Sequence, residues 1–119
     1  MKKIMLIEDD ATMLGLLKIL LEMEGFNVVN SEEDHYDKVI DAIRLEEPAL
    51  ILMDVHLRQM NGFELLRKIK EEPDVNDVKV LMSSGIDFQD DCDKAGANGF
   101  ILKPYMPDQL IQRIRSMVA

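Results

Sequence analysis

The sequence predicts an α/β fold, a (βα)5 doubly wound three-layer αβα sandwich. Apolar runs alternate five times with helical patterns, the runs lack polar alternation, and ionisable or hydroxyl side chains stand at the ends of four of them. The runs are Ile4 to Ile7, Phe26 to Val29, Leu50 to Met53, Val78 to Met82 and Phe100 to Leu102. Strands that alternate with helices pair in parallel through right-handed crossovers, and strands without a polar face are covered on both sides.

The first helix is the best marked. Met13, Leu14, Leu16, Leu17, Leu20, Leu21 and Met23 follow the 3.6-residue period, Asp10 stands where an N-cap belongs, and Gly25 can close the helix, so the element runs from Ala11 to Glu24. Later helices are expected over Tyr36 to Glu46 before Pro48, Phe63 to Lys70 before Pro73, a short one near Asp87 to Ala95, and Pro107 to Val118. The nine methionines read as core filler at helical spacing. With 119 residues, 47% of them hydrophobic, and no repeat or linker, residues 1–119 are expected to form one domain with no room for an output domain. A stand-alone or N-terminal unit is the expectation.

Composition excludes several classes. A net charge of −9 without a Lys/Arg block argues against direct nucleic-acid binding by this chain. No apolar run approaches the roughly 20 residues that span a bilayer and no signal-like N-terminus is present, so a soluble cytoplasmic protein with no membrane association is expected. Cys92, the single cysteine, cannot form an internal disulfide, and its neighbours Asp91 and Asp93 disfavour a reactive thiolate.

Asp54 closes the third run and leaves a carboxylate at the strand's C-terminal edge, where open α/β sheets bind their ligands. Glu8-Asp9-Asp10 closes the first run, so two strands deliver carboxylates to one end of the sheet. Three such charges close together call for a cation, and an all-oxygen set favours Mg²⁺ or a similar hard ion. Taken singly, each group has a plainer role. Acidic residues gather at helix starts, which suits Asp10, and aspartate commonly begins a turn after a strand. The fourth run ends in Ser83-Ser84-Gly85 and the fifth in Lys103-Pro104, adding a hydroxyl and an ammonium at the same edge. A strand-end serine or a solvated lysine is ordinary alone; the joint placement is what argues for a site.

The whole chain resembles a receiver domain of the two-component response regulators, the fold shared with the chemotaxis protein CheY. The resemblance rests on Leu6-Ile7-Glu8-Asp9-Asp10, Leu52-Met53-Asp54, Met60-Asn61-Gly62-Phe63-Glu64-Leu65, Met82-Ser83-Ser84-Gly85, Ala95-Gly96-Ala97-Asn98-Gly99-Phe100 and Lys103-Pro104. It implies a five-stranded parallel sheet of order 2-1-3-4-5, flavodoxin-like or CheY-like. It also implies that Asp54 accepts a phosphoryl group, that Asp9 and Asp54 ligate Mg²⁺ (or Mn²⁺), and that Glu8 holds the ion directly or through water. The backbone carbonyl of His56 would complete the protein ligands. Ser84 would hydrogen-bond one phosphoryl oxygen and Lys103 would neutralise another, while Phe100 holds the place of the switch aromatic. In that switch, Ser84 moves toward the phosphate and Phe100 turns into the space it leaves. A metal, a cation and a donor are what charge on a transferring phosphoryl group requires.

The implied donor is a phosphohistidine on a sensor histidine kinase or histidine phosphotransfer protein. The implied output is a downstream effector or a phosphorylation-dependent homodimer, through the surface of the fourth helix, fifth strand and fifth helix. Such a domain catalyses only its own phosphorylation and dephosphorylation.

The chain departs from the pattern in places. Between Ser84 and Lys103 it is about one helical turn short, and Asp87 to Lys94 is acidic and poorly amphipathic, which bears on output through the fourth helix. Arg58 replaces the proline often found four residues beyond the phosphoacceptor. His56 and Ile86 border the implied path of the hydrolytic water; His56 is weakly placed as a base, and the bulk of Ile86 predicts a long-lived phosphoaspartate.

Three other readings compete with this one. A haloacid-dehalogenase-type phosphatase would carry its nucleophile near the start with a second aspartate two residues on, where this chain has His56. A flavodoxin-like cofactor protein would follow its first strand with a Ser/Thr/Gly-rich loop rather than acidic residues. A receiver used purely as an interaction module remains, and would fold without taking a phosphate.

Overall fold

A computed structural model describes residues 2–119. Five strands alternate with five helices: β1 (Lys3–Ile7), α1 (Ala11–Met23), β2 (Asn27–Asn30), α2 (Tyr36–Glu46), β3 (Leu50–Asp54), α3 (Gly62–Glu71), β4 (Lys79–Ser84), α4 (Gln89–Lys94), β5 (Gly99–Leu102) and α5 (Pro107–Val118). All strand pairs are parallel and the sheet order is β2-β1-β3-β4-β5, as the resemblance implied.

Side chains alternate across the strands because the β period is two, and both faces are apolar because both are covered. Met5, Ile7, Ile51, Met53, Val80, Met82 and Phe100 face α2, α3 and α4, where Val39, Ile43, Leu65, Ile69 and Cys92 meet them. Ile4, Leu6, Leu50, Leu52, Leu81 and Ile101 face Leu17 and Leu21 of α1 and Leu110 and Ile114 of α5. Each large aliphatic side chain buried this way stabilises the fold by roughly 1.5–3 kcal/mol.

Local chemistry sets the ends of the elements. Asp10 caps α1 by accepting from the Thr12 and Met13 amides at 2.9 and 3.1 Å, and Gly25, with φ of 92°, takes the left-handed turn beyond the helix. Asn61 caps α3 through Phe63 and Glu64, and Pro107 occupies the first turn of α5, where its missing N–H costs nothing. Asn98 extends the sheet before β5 begins: its side-chain oxygen accepts from the Val80 amide at 2.8 Å, and its own N–H donates to the Val80 carbonyl.

Several element ends move by a residue, and four differences have a clear physical reason. β2 is Asn27–Asn30, because the Phe26 amide bonds back to Leu21 in the α1 cap instead of joining the sheet. Ser83 and Ser84 lie inside β4, held by pairing with Ile101 and Leu102. α4 is shorter than Asp87 to Ala95, because Asp87 accepts from the Gln89 amide and forms the turn leading into the helix. Not every methionine is core filler: Met5, Met53, Met60 and Met82 are buried, whereas Met23 and Met106 lie on the surface.

Candidate phosphoacceptor site

The C-terminal ends of β1, β3, β4 and β5 converge on one edge. The register pairs Ile7 with Met53 and Asp54 with Ser83, so Glu8, one residue past Ile7, stands level with Asp54. Lys103 follows directly on β5 and reaches both: its Nζ lies 3.1 Å from Asp54 Oδ2 and 3.2 Å from Glu8 Oε2. These carboxylates are largely withdrawn from water, with side-chain exposures of 14% for Asp54 and 9% for Glu8, so the ammonium compensates charges that solvent reaches poorly. Each has a second donor: the His56 amide to Asp54 Oδ1 at 3.3 Å and the Asp10 amide to Glu8 Oε1 at 3.1 Å. Burial works to lower the Lys103 pKa, but the hydrogen bond and charge of Asp54, joined by those of Glu8, outweigh it and leave the ammonium held above its ordinary range.

The loop after Asp54 is closed on itself. The Val55 amide donates to the Ser83 carbonyl, the Gly62 amide donates to the Val55 carbonyl, and His56 bridges Asn61. Gly62 permits this closure: a Cβ there would lie 2.6 Å from the Asp54 carbonyl oxygen and 2.7 Å from Val55 Cα, nearer than any side chain tolerates.

The other expected residues are placed as follows. Among the described residues Asp9 does not share in the Lys103 bridge; its Oδ2 accepts instead from the main-chain N–H of Arg58. Among the described residues no three His, Cys, Asp or Glu side chains are drawn together tightly enough to grip a metal ion. The donors nevertheless suit a hard divalent cation: Glu8, Asp9 and Asp54 offer only carboxylate oxygens at adjoining strand ends, and the positive charge among them is supplied by Lys103. Ser84 is buried, and its hydroxyl accepts from the Ile86 amide at 3.1 Å, within its own turn. Phe100 is 4% exposed, its ring packed on the face that α4 covers. Ile86 is well exposed at the mouth of the β4–α4 loop.

Sequence reasoning missed three neighbours. Tyr105 lies close enough for Lys103, Glu8 and Asp54 to act on it; burial chiefly raises its pKa, Lys103 opposes the rise and the two carboxylates add to it. Phe88 packs edge-on against His56 at 5.8 Å and against Phe63 at 5.5 Å, so an aromatic ring just before α4 meets the loop that follows Asp54. The main-chain N–H of Arg58 is the third, since a donor of that kind carries no residue-type signal beyond the absence of proline.

Residues 4–115 match the family model of the response regulator receiver domain. The phosphate regulon transcriptional regulatory protein PhoB of Escherichia coli is 28% identical over 120 residues, covering 98% of this chain and 52% of that protein. This chain therefore spans about half the length of the curated relatives it matches. A putative response regulator from Chloroflexus aurantiacus superposes with a TM-score of 0.87 at 23% identity, covering 98% of this chain and 97% of that one. The receiver domain of the sensor histidine kinase PA1611 from Pseudomonas aeruginosa, with magnesium in its active-site cleft, superposes with a TM-score of 0.85 at 19% identity, covering 98% and 97% of the two chains. No helix among the described residues is long and apolar enough to cross a membrane.

Proposed function

The chain belongs to the response regulator receiver domain family, and from that premise we propose that Asp54 accepts a phosphoryl group from the phosphohistidine of a sensor histidine kinase or histidine phosphotransfer protein. The single observation that carries this reading is the bridge from Lys103 to Asp54 and Glu8, at 3.1 and 3.2 Å. A surface lysine has no reason to lie withdrawn between two strand-end carboxylates unless that edge handles concentrated negative charge.

Asp54 Oδ attacks the phosphorus in line, the bond to the donor imidazole breaks, and the product is an acyl phosphate on Asp54. The His56 amide and Lys103 hold the carboxylate in place; Lys103 would then balance a phosphoryl oxygen. Asp9, Asp54, Glu8 and the backbone carbonyl of His56 would hold Mg²⁺, which supplies charge neutralisation between nucleophile and phosphate. Ser84, whose hydroxyl oxygen accepts from the Ile86 amide, would donate its proton to a phosphoryl oxygen. Phe100 is already packed inward, so in this chain the switch would draw on Ser84 and the β4–α4 loop more than on rotation of the ring. The domain acts as a signalling unit in the cytoplasm, and its output is a downstream effector or a second copy of the domain. Residues 1–119 form one such receiver.

The test is intact mass after incubation with Mg²⁺ and a small acyl-phosphate donor, with Asp54→Ala and metal-free controls. Addition of one phosphoryl group, lost in both controls, is expected. A folded protein that takes no phosphate from either the small donor or a histidine phosphotransfer protein refutes the reading in favour of a phosphorylation-independent interaction module.

A further inference from the structure

Asp9 is the one carboxylate of the candidate metal set that Lys103 does not hold. Its Oδ2 accepts instead from the main-chain N–H of Arg58, in the β3–α3 loop. That amide sits in a loop whose two ends are tied down. The loop is closed from Val55 to Gly62 by the Gly62 amide on the Val55 carbonyl at 2.8 Å and by the bridge between His56 and Asn61, and Val55 is tied to Ser83 of β4 at 2.9 Å. Asp9 can bring Oδ2 to a cation beside Glu8 and Asp54 only by giving up this bond. Both ends of the bond line an open cleft of about 350 Å³ whose rim also carries Glu32, Glu33 and Asp34, so a cation is attracted to the cleft before the site is assembled.

We propose that the Arg58 main-chain N–H is a gate on the metal site: it holds Asp9 out of the ligand set, and Mg²⁺ binding takes place at the expense of this bond. The inference rests on the phosphoacceptor reading, and Arg58 acts here as a positioning residue through its backbone. Its side chain is exposed and makes no hydrogen bond among the described residues, so the gate is a property of having an N–H at this position. A proline there would have none.

The experiment is a calorimetric Mg²⁺ titration of the wild type, Arg58→Ala and Arg58→Pro, with the Arg58 amide followed by NMR hydrogen exchange in the first two. Arg58→Ala keeps the N–H and removes the side-chain charge; Arg58→Pro removes both. Arg58→Pro is expected to bind Mg²⁺ about fivefold more tightly than Arg58→Ala, and the Arg58 amide to lose protection at saturating Mg²⁺. Equal affinity of the two variants, or an amide whose protection Mg²⁺ leaves unchanged, overturns the gate alone. The amide measurement decides the matter if Arg58→Pro does not fold. Absence of Mg²⁺ binding in every protein overturns the phosphoacceptor reading and the gate with it.

Discussion

Lys103 Nζ lies 3.1 Å from Asp54 Oδ2, so the last residue before Pro104 reaches across β4 to the end of β3. Burial opposes the charge on this lysine, but Asp54 and Glu8 more than offset it and raise its pKa. A raised folded pKa means that the ammonium's contribution to stability is complete below the ordinary lysine value of 10.5 and is lost as pH rises through the higher folded value. Urea midpoints of the wild type and Lys103→Met, which keeps an unbranched stem, should therefore differ near neutral pH and converge in strongly alkaline solution. A gap that persists there would assign the effect to packing of the stem.

Gly62 and Gly15 give opposite responses to the same substitution. A Cβ at Gly62 meets the Asp54 carbonyl at 2.6 Å, whereas Gly15, on the exposed side of α1, has nothing within 4 Å. Gly62→Ala should cost about 2 kcal/mol through backbone displacement and also lower the phosphorylation rate, because the loop behind Asp54 moves. Gly15→Ala should add about 0.5–1 kcal/mol by raising helix propensity, and leave phosphorylation unchanged. Denaturant unfolding paired with the mass assay separates the two.

Cys92 reports on α4. It is fully buried, and burial first, then Asp91 and Asp93, push its thiol from 9.0 up to about 11. Iodoacetamide at mildly alkaline pH should label the folded protein at least about a hundredfold more slowly than the unfolded chain, on thiolate fraction alone. Because α4 runs only from Gln89 to Lys94, with Cys92 as its sole buried side chain, its local opening should set the residual rate. Rapid labelling of the native state would show that α4 is detached under ordinary conditions.

Much of this molecule is legible in its sequence because its signals are local. Asp10, Gly25 and Pro107 mark helix ends by rules that act within one turn, and buried parallel strands need only apolar runs. Alternation made the strands parallel and so brought Glu8, Asp54 and Lys103 to one edge of the sheet, while the strand order that sets them side by side was implied by the resemblance. What escaped depends on where main-chain donors fall after folding: Asp9 is diverted by a distant amide, Ser84 is held by the amide two residues on, and the one-residue shift in β2 comes from the Phe26 amide capping α1. Phe88 was missed for another reason, since its partners His56 and Phe63 lie 32 and 25 positions away in the sequence and meet it only in the folded chain.

Ile86 sets the last prediction. It is two residues beyond Ser84, is 58% exposed, and its amide donates to the Ser84 hydroxyl. If Ser84 donates its proton to a phosphoryl oxygen, its oxygen can keep the Ile86 amide, which holds the branched apolar side chain beside the mouth of the site. A bulky aliphatic group there offers the attacking water no hydrogen bond and obstructs its approach, so the phosphoaspartate should be long-lived. Ile86→Ala should speed loss of the phosphoryl group by clearing the path, and Ile86→Glu should speed it further by also holding a water. Decay of the phosphorylated mass over time measures both. If all three proteins lose phosphate at the same rate, water reaches the phosphorus by another side, and the lifetime is governed by Lys103 and the metal ligands instead.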